Sequence, residues 1–163
     1  MFSYHGLARK LVLELKHSDR PELAGPAAMW MAQIGSDLLT DGTVIIPVPV
    51  HWQRFLHRKY NQAEVLAKHV AQNTQAELMS RVLVRPRKTI PLKEVSRSER
   101  FSILEDAFTV EHNEIPRIEG RKVVLIDDVM TSGATLSAAA NALFRAGVRD
   151  ISVLVLARVT ENT

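Results

Sequence analysis

Residues 123–135 read VVLIDDVMTSGAT, the most informative run in this chain. The first four residues are all apolar, which is typical of a strand covered on both faces. Asp127 and Asp128 are predicted to end that strand, and a loop rich in Thr, Ser and Gly follows them. The run therefore predicts a buried strand whose carboxyl end carries two carboxylates and several hydroxyls.

The residues that follow this run predict a parallel sheet. A helix is predicted over about 135–146, with Gly147 at its C-terminal cap. An apolar strand is predicted over 151–157. Strand, helix and strand in so short a span predict a βαβ unit with parallel strands. We expect its crossover to be right-handed, because nearly all such crossovers in known sheets are.

Apolar periodicity and turn residues predict further elements outside this unit. The predicted helices cover 6–16, 21–39 and 61–72, and the predicted strands cover 43–46, 81–85 and 107–110. We expect a turn-rich connection over 115–120. The fold class is therefore α/β, with a mainly parallel open sheet flanked by helices, and we expect one domain over 1–163.

Composition excludes several classes of protein. The chain has 163 residues, of which 46% are hydrophobic and 24% charged, as in globular rather than disordered proteins. No apolar run approaches the roughly 20 residues that a membrane-spanning helix needs. The absence of cysteine excludes disulfides and cysteine-ligated zinc. Since the first residues also lack the layout of a secretory signal, we expect a cytoplasmic protein without membrane insertion.

Positive charge is concentrated in two segments. The net charge is only +3, yet residues 81–100 contain seven Lys or Arg against two Glu. A second cluster within residues 51–59 contains Arg54, Arg58 and Lys59. Such basic surface favours a polyanionic ligand, either a nucleic acid or a phosphorylated small molecule, and the alternative is a solvated loop without a ligand. We predict a flexible basic loop over about 85–105.

The loop after the two aspartates has the chemistry of a phosphate site. In an open parallel sheet, ligands bind beyond the carboxyl ends of the strands. Backbone N–H groups of a glycine-containing loop at a helix N-terminus favour a phosphate, and nearby hydroxyls add donors. The lysine of a P-loop is absent. The adjacent carboxylates need hydroxyl donors or a cation, and sugar hydroxyls, alone or bridged by Mg²⁺, would provide them.

Residues 124–135 resemble the phosphoribosyl pyrophosphate (PRPP) motif of type I phosphoribosyltransferases. The resemblance implies that Asp127 and Asp128 hold the ribose 2′- and 3′-hydroxyls. It also implies that the 5′-phosphate is wrapped by Thr131, Ser132, Gly133, Ala134 and Thr135. Mg²⁺ would be carried mainly by the oxygens of PRPP, with no direct protein ligand.

The order of further motifs resembles the ComF (competence protein F) branch of this family. These motifs are YHG at 4–6 with Lys16, IPVPVH at 46–51, RKYNQA at 58–63, RKT at 87–89, Arg97 with Arg100, and Ala107 with Phe108. The resemblance implies a type I phosphoribosyltransferase fold. It further implies a pyrophosphate loop composed of Val48, Pro49, Val50, His51 and Arg54.

The sequence departs from the ComF pattern at several positions. The cysteine-rich zinc-binding segment that usually begins ComF proteins is absent from this sequence. Lys59, Leu92 and Ile103 stand where Gly, Gln and Asn are common. Thr131 replaces an Asp found in 6-oxopurine salvage enzymes, which argues against hypoxanthine- or guanine-type salvage.

We expect a phosphoribosyltransferase that joins the phosphoribosyl group of PRPP to an unidentified nitrogen acceptor and releases pyrophosphate. Asp127, Asp128 and Arg58 are its expected catalytic residues. Asn61 is either a helix N-cap or part of the site.

The alternative is a non-catalytic PRPP sensor or a module that binds single-stranded DNA in natural transformation. Its basic residues would be Arg85, Arg87, Lys88, Arg97 and Arg100. The ComF resemblance implies proteins of DNA uptake and recombination as partners, and homo-oligomerisation is left open.

Overall fold

The computed structural model describes residues 2–3, 6–17, 21–50, 60–85 and 107–159. Seven strands lie in these ranges: β1 (Phe2–Ser3), β2 (Thr43–Pro47), β3 (Glu77–Leu78), β4 (Leu83–Val84), β5 (Thr109–Val110), β6 (Lys122–Met130) and β7 (Asp150–Arg158). Five of them form one sheet with the order β1-β7-β6-β2-β3, and all neighbours in it are parallel. Strands β4 and β5 form a separate antiparallel pair. The predicted α/β class with a mainly parallel sheet is confirmed.

Helices cover both faces of the sheet. They are α1 (Gly6–His17), α2 (Ala24–Ile34), α3 (Gln62–Gln72), α4 (Ile115–Ile118) and α5 (Ala134–Arg145). Buried residues of α1, α2 and α3 pack with Val124 and Ile126 on one face of β6. Buried residues of α4 and α5 pack with Val123 and Leu125 on the other face. The continuous apolar run of β6 follows from this arrangement, because each of its faces meets a hydrophobic core.

The side on which the chain adds its next strand reverses between β2 and β6, although the two strands run parallel. These two strands are neighbours, with Val44 opposite Val123 and Pro47 opposite Ile126. From β2 the chain passes through α3 to β3 on one side, and from β6 it passes through α5 to β7 on the other side. The two crossover helices therefore lie on opposite faces of the sheet. This leaves a crevice between β2 and β6 at the carboxyl ends of the strands, where open α/β sheets bind their ligands.

Helix α5 has the predicted glycine at its C-terminal cap. Gly147 has a left-handed φ of 94°. Its N–H donates to the Phe144 carbonyl over 3.1 Å, and the Val148 N–H donates to the Leu143 carbonyl over 3.1 Å. This pair of bonds is a Schellman motif, in which glycine has no steric penalty.

Several predicted boundaries are wrong. The strand predicted to stop before Asp127 continues to Met130, since β6 stays paired with β7 there. The helix predicted over 21–39 is a 3-10 turn (Pro21–Leu23) followed by α2, which ends before Gly35. Only Leu83–Val84 of the strand predicted over 81–85 pairs, and only Thr109–Val110 of 107–110.

Four short elements differ from the sequence interpretation. Helix α4 occupies most of the predicted turn-rich connection at 115–120, and a 3-10 turn (His112–Glu114) precedes it. Strands β1 and β3 were not predicted at all. The flexible basic loop predicted over about 85–105 lies outside the described residues, apart from Arg85.

Candidate active site at the carboxyl edge of the sheet

Asp127 and Asp128 lie on the part of β6 that extends beyond β2. Strand β2 ends at Pro47, opposite Ile126, whereas β6 continues alongside β7 with Asp127 opposite Val155. Both aspartates therefore remain anchored by β7 on one side while the crevice lies on the other. This end of the sheet is called the carboxyl edge below.

The two aspartates differ in exposure. Asp128 is buried, with 8% of its surface exposed, and Asp127 is half-buried. The Asp127 Oδ1 atom accepts a hydrogen bond from the Asp128 N–H over 2.8 Å. This bond ties the Asp127 carboxylate to the backbone of its own strand.

A short loop joins β6 to α5 and begins the helix beside these carboxylates. Gly133 precedes α5 with φ 82°, a left-handed value that other residues adopt at a cost. The Ser132 Oγ atom accepts from the Ala134 N–H over 3.4 Å, and the Gly133 carbonyl accepts from the Ser137 N–H over 2.9 Å. The Ala134 N–H thus has a partner in the turn, and the first-turn N–H groups that follow it have no partner within the helix, so they can donate to an anion.

The side chains of this loop leave it accessible. Thr131 is exposed, Ser132 and Thr135 are half-buried, and Ala134 is buried against the core beneath. The structure therefore brings Asp127, Asp128 and all five residues of the predicted phosphate loop to one corner of the carboxyl edge.

The loop after β2 lies directly across the crevice. The Val48 N–H donates to the Ile126 carbonyl over 2.9 Å, which holds this loop beside the residue before Asp127. Val48 is buried, and Pro49 and Val50 are half-buried. Of the predicted pyrophosphate loop, Val48, Pro49 and Val50 thus lie at the crevice. The other predicted members, His51 and Arg54, and the predicted catalytic Arg58 lie outside the described residues.

Asn61 has a connection that sequence reasoning did not predict. Its Oδ1 atom accepts from the Ala63 N–H over 3.1 Å, so it is the N-cap of α3. Its Nδ2 atom also donates to the Val48 carbonyl over 3.1 Å. An Asn before an apolar helical pattern indicates a cap. No feature of the local sequence indicates the second bond, because the two residues are thirteen positions apart.

Arg85 is the described member of the predicted basic set. It is half-buried, and its guanidinium carbon lies 5.3 Å from the centre of the Phe108 ring, within the range of a cation–π contact. The remaining members of the set, Arg87, Lys88, Arg97 and Arg100, lie outside the described residues.

Among the described residues, no group of three or more His, Cys, Asp or Glu is arranged to hold a metal ion. In the same part of the chain, none of the helices is long and apolar enough to cross a membrane.

A domain profile and two curated proteins match this chain. A profile of the phosphoribosyl transferase domain matches residues 60–163. Competence protein F of Haemophilus influenzae is 35% identical over 116 residues, which cover 70% of this chain and 49% of that protein. The DNA utilization protein YhgH of Escherichia coli O157:H7 is 29% identical over 153 residues, which cover 91% of this chain and 66% of that protein.

A solved structure supports the fold. The structure of the allosteric regulatory enzyme of purine biosynthesis aligns with this chain with a TM-score of 0.57 at 16% identity. The alignment covers 89% of this chain and 30% of that chain. This chain therefore spans about half to two thirds of the curated relatives named above and a smaller part of the enzyme.

Proposed function

Because this chain belongs to the phosphoribosyl transferase domain family and is a homologue of competence protein F, we propose that it binds PRPP at the carboxyl edge. We further propose that it transfers the phosphoribosyl group to a nitrogen acceptor. One observation carries the proposal. Two carboxylates and a glycine-capped helix N-terminus lie on one side of the crevice between β2 and β6, and the Val48–Val50 loop lies on the other.

The hydrogen-bonding groups and charges of PRPP are complementary to those that line this crevice. The ribose hydroxyls are donors, and the carboxylates of Asp127 and Asp128 are acceptors at the end of β6. The 5′-phosphate is a dianion, and the loop from Thr131 to Thr135 provides hydroxyls and the first N–H groups of α5. The pyrophosphate would then extend across the crevice towards Val48.

Mg²⁺ fits this set of residues. Carboxylate and hydroxyl oxygens are the hard ligands that Mg²⁺ prefers, and the ion commonly keeps phosphate oxygens and waters as its remaining ligands. Asp127 and Asp128 are the described residues that would face a Mg²⁺–PRPP complex. When bound, the ion neutralises charge that develops on the leaving pyrophosphate.

The transfer itself requires positioning more than a reactive side chain. The nitrogen lone pair of the acceptor forms a bond to C1 of the ribose while the bond from C1 to the pyrophosphate oxygen breaks. The electron pair of that bond leaves with pyrophosphate, and the acceptor nitrogen loses a proton. Asp127 and Asp128 fix the ribose, and Arg54 and Arg58 are proposed to stabilise the leaving group as permanent cations.

Calorimetric titration with PRPP, with and without Mg²⁺, tests the proposal. We expect saturable binding that is stronger with Mg²⁺. An Asp127→Asn/Asp128→Asn variant is expected to bind at least about tenfold more weakly, which corresponds to roughly 1.4 kcal/mol. The substitution makes the net charge more positive, so a general attraction of anions would give the opposite result.

Asp37→Asn/Asp41→Asn is the matched control. It makes the same change in charge at two exposed positions in the loop before β2, at the other end of the sheet. This control is expected to bind PRPP like the wild type. Absence of wild-type binding at millimolar PRPP, or equal weakening in both variants, would remove the PRPP site from consideration.

Binding of single-stranded DNA is the second candidate function. It is favoured by the names of the relatives, which refer to competence and DNA utilization, and by the basic residues between 81 and 100. A role in DNA uptake alongside recombination proteins would follow. Steeply salt-dependent binding of single-stranded DNA that is lost on neutralising Arg85, Arg87 and Lys88 would support it. Pyrophosphate release that requires a particular amine would instead establish the transferase, and PRPP binding without release would indicate a sensor.

A further inference from the structure

The Val48–Val50 loop is held from two sides at its first residue. The Val48 N–H donates to Ile126 at the end of the shared β2–β6 register, and the Val48 carbonyl accepts from the Asn61 side chain. Both backbone groups of Val48 therefore have fixed partners. The first partner belongs to the strand that carries Asp127, and the second belongs to the N-terminus of α3.

Asn61 is itself rigidly placed. It is buried, with 8% of its surface exposed, and its two side-chain atoms make opposite contacts: Oδ1 accepts from α3 and Nδ2 donates to the loop. The neighbouring side chains anchor the same segment to α1. Tyr60 donates its hydroxyl to the Leu15 carbonyl over 2.7 Å, and the Gln62 amide donates to the same oxygen over 3.5 Å.

This arrangement exceeds what capping α3 requires. Serine, aspartate or threonine at an N-cap satisfies the first N–H groups of a helix about as well as asparagine. Asparagine differs from these residues because it has a nitrogen donor separate from its acceptor oxygen, and here that donor reaches the buried carbonyl of Val48. A buried carbonyl that loses its donor is costly, so the loop would move to satisfy it.

We propose that Asn61 is a positioning residue that fixes the Val48–Val50 loop against the end of β6, in the geometry that receives the pyrophosphate of PRPP. This inference rests on the proposed function. It assigns to Asn61 a role in one part of the ligand only. The ribose and 5′-phosphate contact Asp127, Asp128 and the 131–135 loop, which Asn61 does not touch in the contacts described above.

The test uses three ligands: PRPP, inorganic pyrophosphate and ribose 5-phosphate, each titrated in the presence of Mg²⁺. In Asn61→Ser the cap acceptor remains, but the shorter side chain lacks the amide donor. We expect binding of PRPP and pyrophosphate to weaken by about five- to tenfold, the size of one lost hydrogen bond in a buried site, with ribose 5-phosphate binding unchanged. Asn61→Asp keeps the shape and the cap but places a carboxylate oxygen against the Val48 carbonyl, so its loss should be larger.

Asn73→Ser is the matched control. Asn73 is at the opposite end of α3, where its Nδ2 atom donates to the His69 carbonyl over 2.7 Å at the surface. The same substitution there removes a bond of the same type from the same helix. We expect all three ligands to bind Asn73→Ser as they bind the wild type.

Hydrogen exchange at the Val48 amide gives a readout that needs no ligand. It should accelerate in Asn61→Ser and stay at the wild-type rate in Asn73→Ser. Equal weakening of all three ligands, or no weakening of PRPP and pyrophosphate, would overturn the positioning role. Wild-type protein that binds none of the three ligands would instead refute the proposed function, and unchanged Val48 exchange in Asn61→Ser would show separately that Asn61 does not fix the loop.

Discussion

The two ends of the sheet differ in how their charged side chains are arranged. At the end where the strands begin, called the amino edge, Glu77 bonds Arg121 over 2.7 Å and Arg117 over 3.4 Å. Arg117 also pairs with Glu114 over 2.8 Å, and Arg121 donates to the Gly42 carbonyl. These contacts tie the starts of β2, β3 and β6 together. The carboxyl edge instead places two acidic residues side by side in one strand.

The amino edge also has a groove. Its volume is about 860 Å³, and its lining consists of uncharged residues such as Trp30, Gln33, Ser36, Thr74 and Gln75. Concave shape alone therefore does not identify the site in this protein. Under the proposed function, the ligand edge is the one where acceptors and helix N–H donors are presented together at the switch between β2 and β6.

The largest difference in PRPP affinity is expected between alanine substitutions of the two glycines with left-handed φ at the ends of α5, Gly133 and Gly147. Gly133→Ala at the carboxyl edge forces a Cβ into φ 82°, although the nearest atom, the Met130 sulfur, lies 4.0 Å away. The loop should therefore shift rather than clash, and PRPP binding should weaken by about tenfold or more, since the N–H donors move with it. Titration of PRPP measures this loss.

Gly147→Ala makes the same change at the amino edge and serves as its counterpart. The new Cβ would lie 3.2 Å from the Glu119 side chain at φ 94°, so the free energy of unfolding should fall by about 1–2 kcal/mol. PRPP affinity should stay at the wild-type value. Loss of affinity in Gly147→Ala as large as in Gly133→Ala would mean that helix stability, not loop geometry, controls binding.

The smallest effect on the free energy of unfolding is expected at the Glu77 cluster, which consists of Glu77, Glu114, Arg117 and Arg121. The hydrogen bond from Arg121, helped by the charges of Arg121 and Arg117, lowers the pKa of Glu77 below its ordinary value of 4.5. A carboxyl group whose pKa is lower in the folded state stabilises the protein at pH values above its unfolded-state pKa. This stabilisation is lost as the pH falls through the folded-state pKa. The cluster should therefore contribute fully above about pH 4.5 and fade below it.

Glu77→Gln tests this contribution by chemical unfolding at several pH values. Because the side chains are largely exposed, the loss at neutral pH should be at most about 1 kcal/mol and should shrink in high salt. The difference between Glu77→Gln and wild type should narrow below pH 4.5, and PRPP binding should not change. A difference that widens in acid would contradict the assignment of the lowered pKa.

The sequence was informative where many residues repeat one pattern. The β6–α5–β7 unit was predictable because a strand buried on both faces is apolar throughout and because Gly147 ends the helix. Strands β1 and β3 have two residues each, too few to show any period. The end of α2 was missed because Leu38 and Leu39 continue the apolar pattern. At Gly35 a Cβ would lie 2.9 Å from the Leu154 side chain, a contact that no local pattern indicates.

The residues of the candidate site were easier to predict than its geometry. The run from Asp127 to Thr135 was selected from the order of its residues and from its resemblance to the PRPP motif, and the structure places it at one corner of the sheet. The continuation of β6 past Asp127 depends on pairing with β7, which is a property of the neighbouring strand. The bond from Asn61 to Val48 depends on how α3 begins beside β2. Such contacts between distant residues need the folded chain.

The most direct test of the central claim is to locate PRPP on the protein by backbone NMR during a titration with Mg²⁺ present. The account predicts saturable shifts at the amides of Asp128, Ser132 to Leu136 and Val48, with those of Gly42, Gln75, Glu77 and Arg121 unchanged. Saturable shifts at the amino edge with the amides of residues 132–136 unmoved would contradict it.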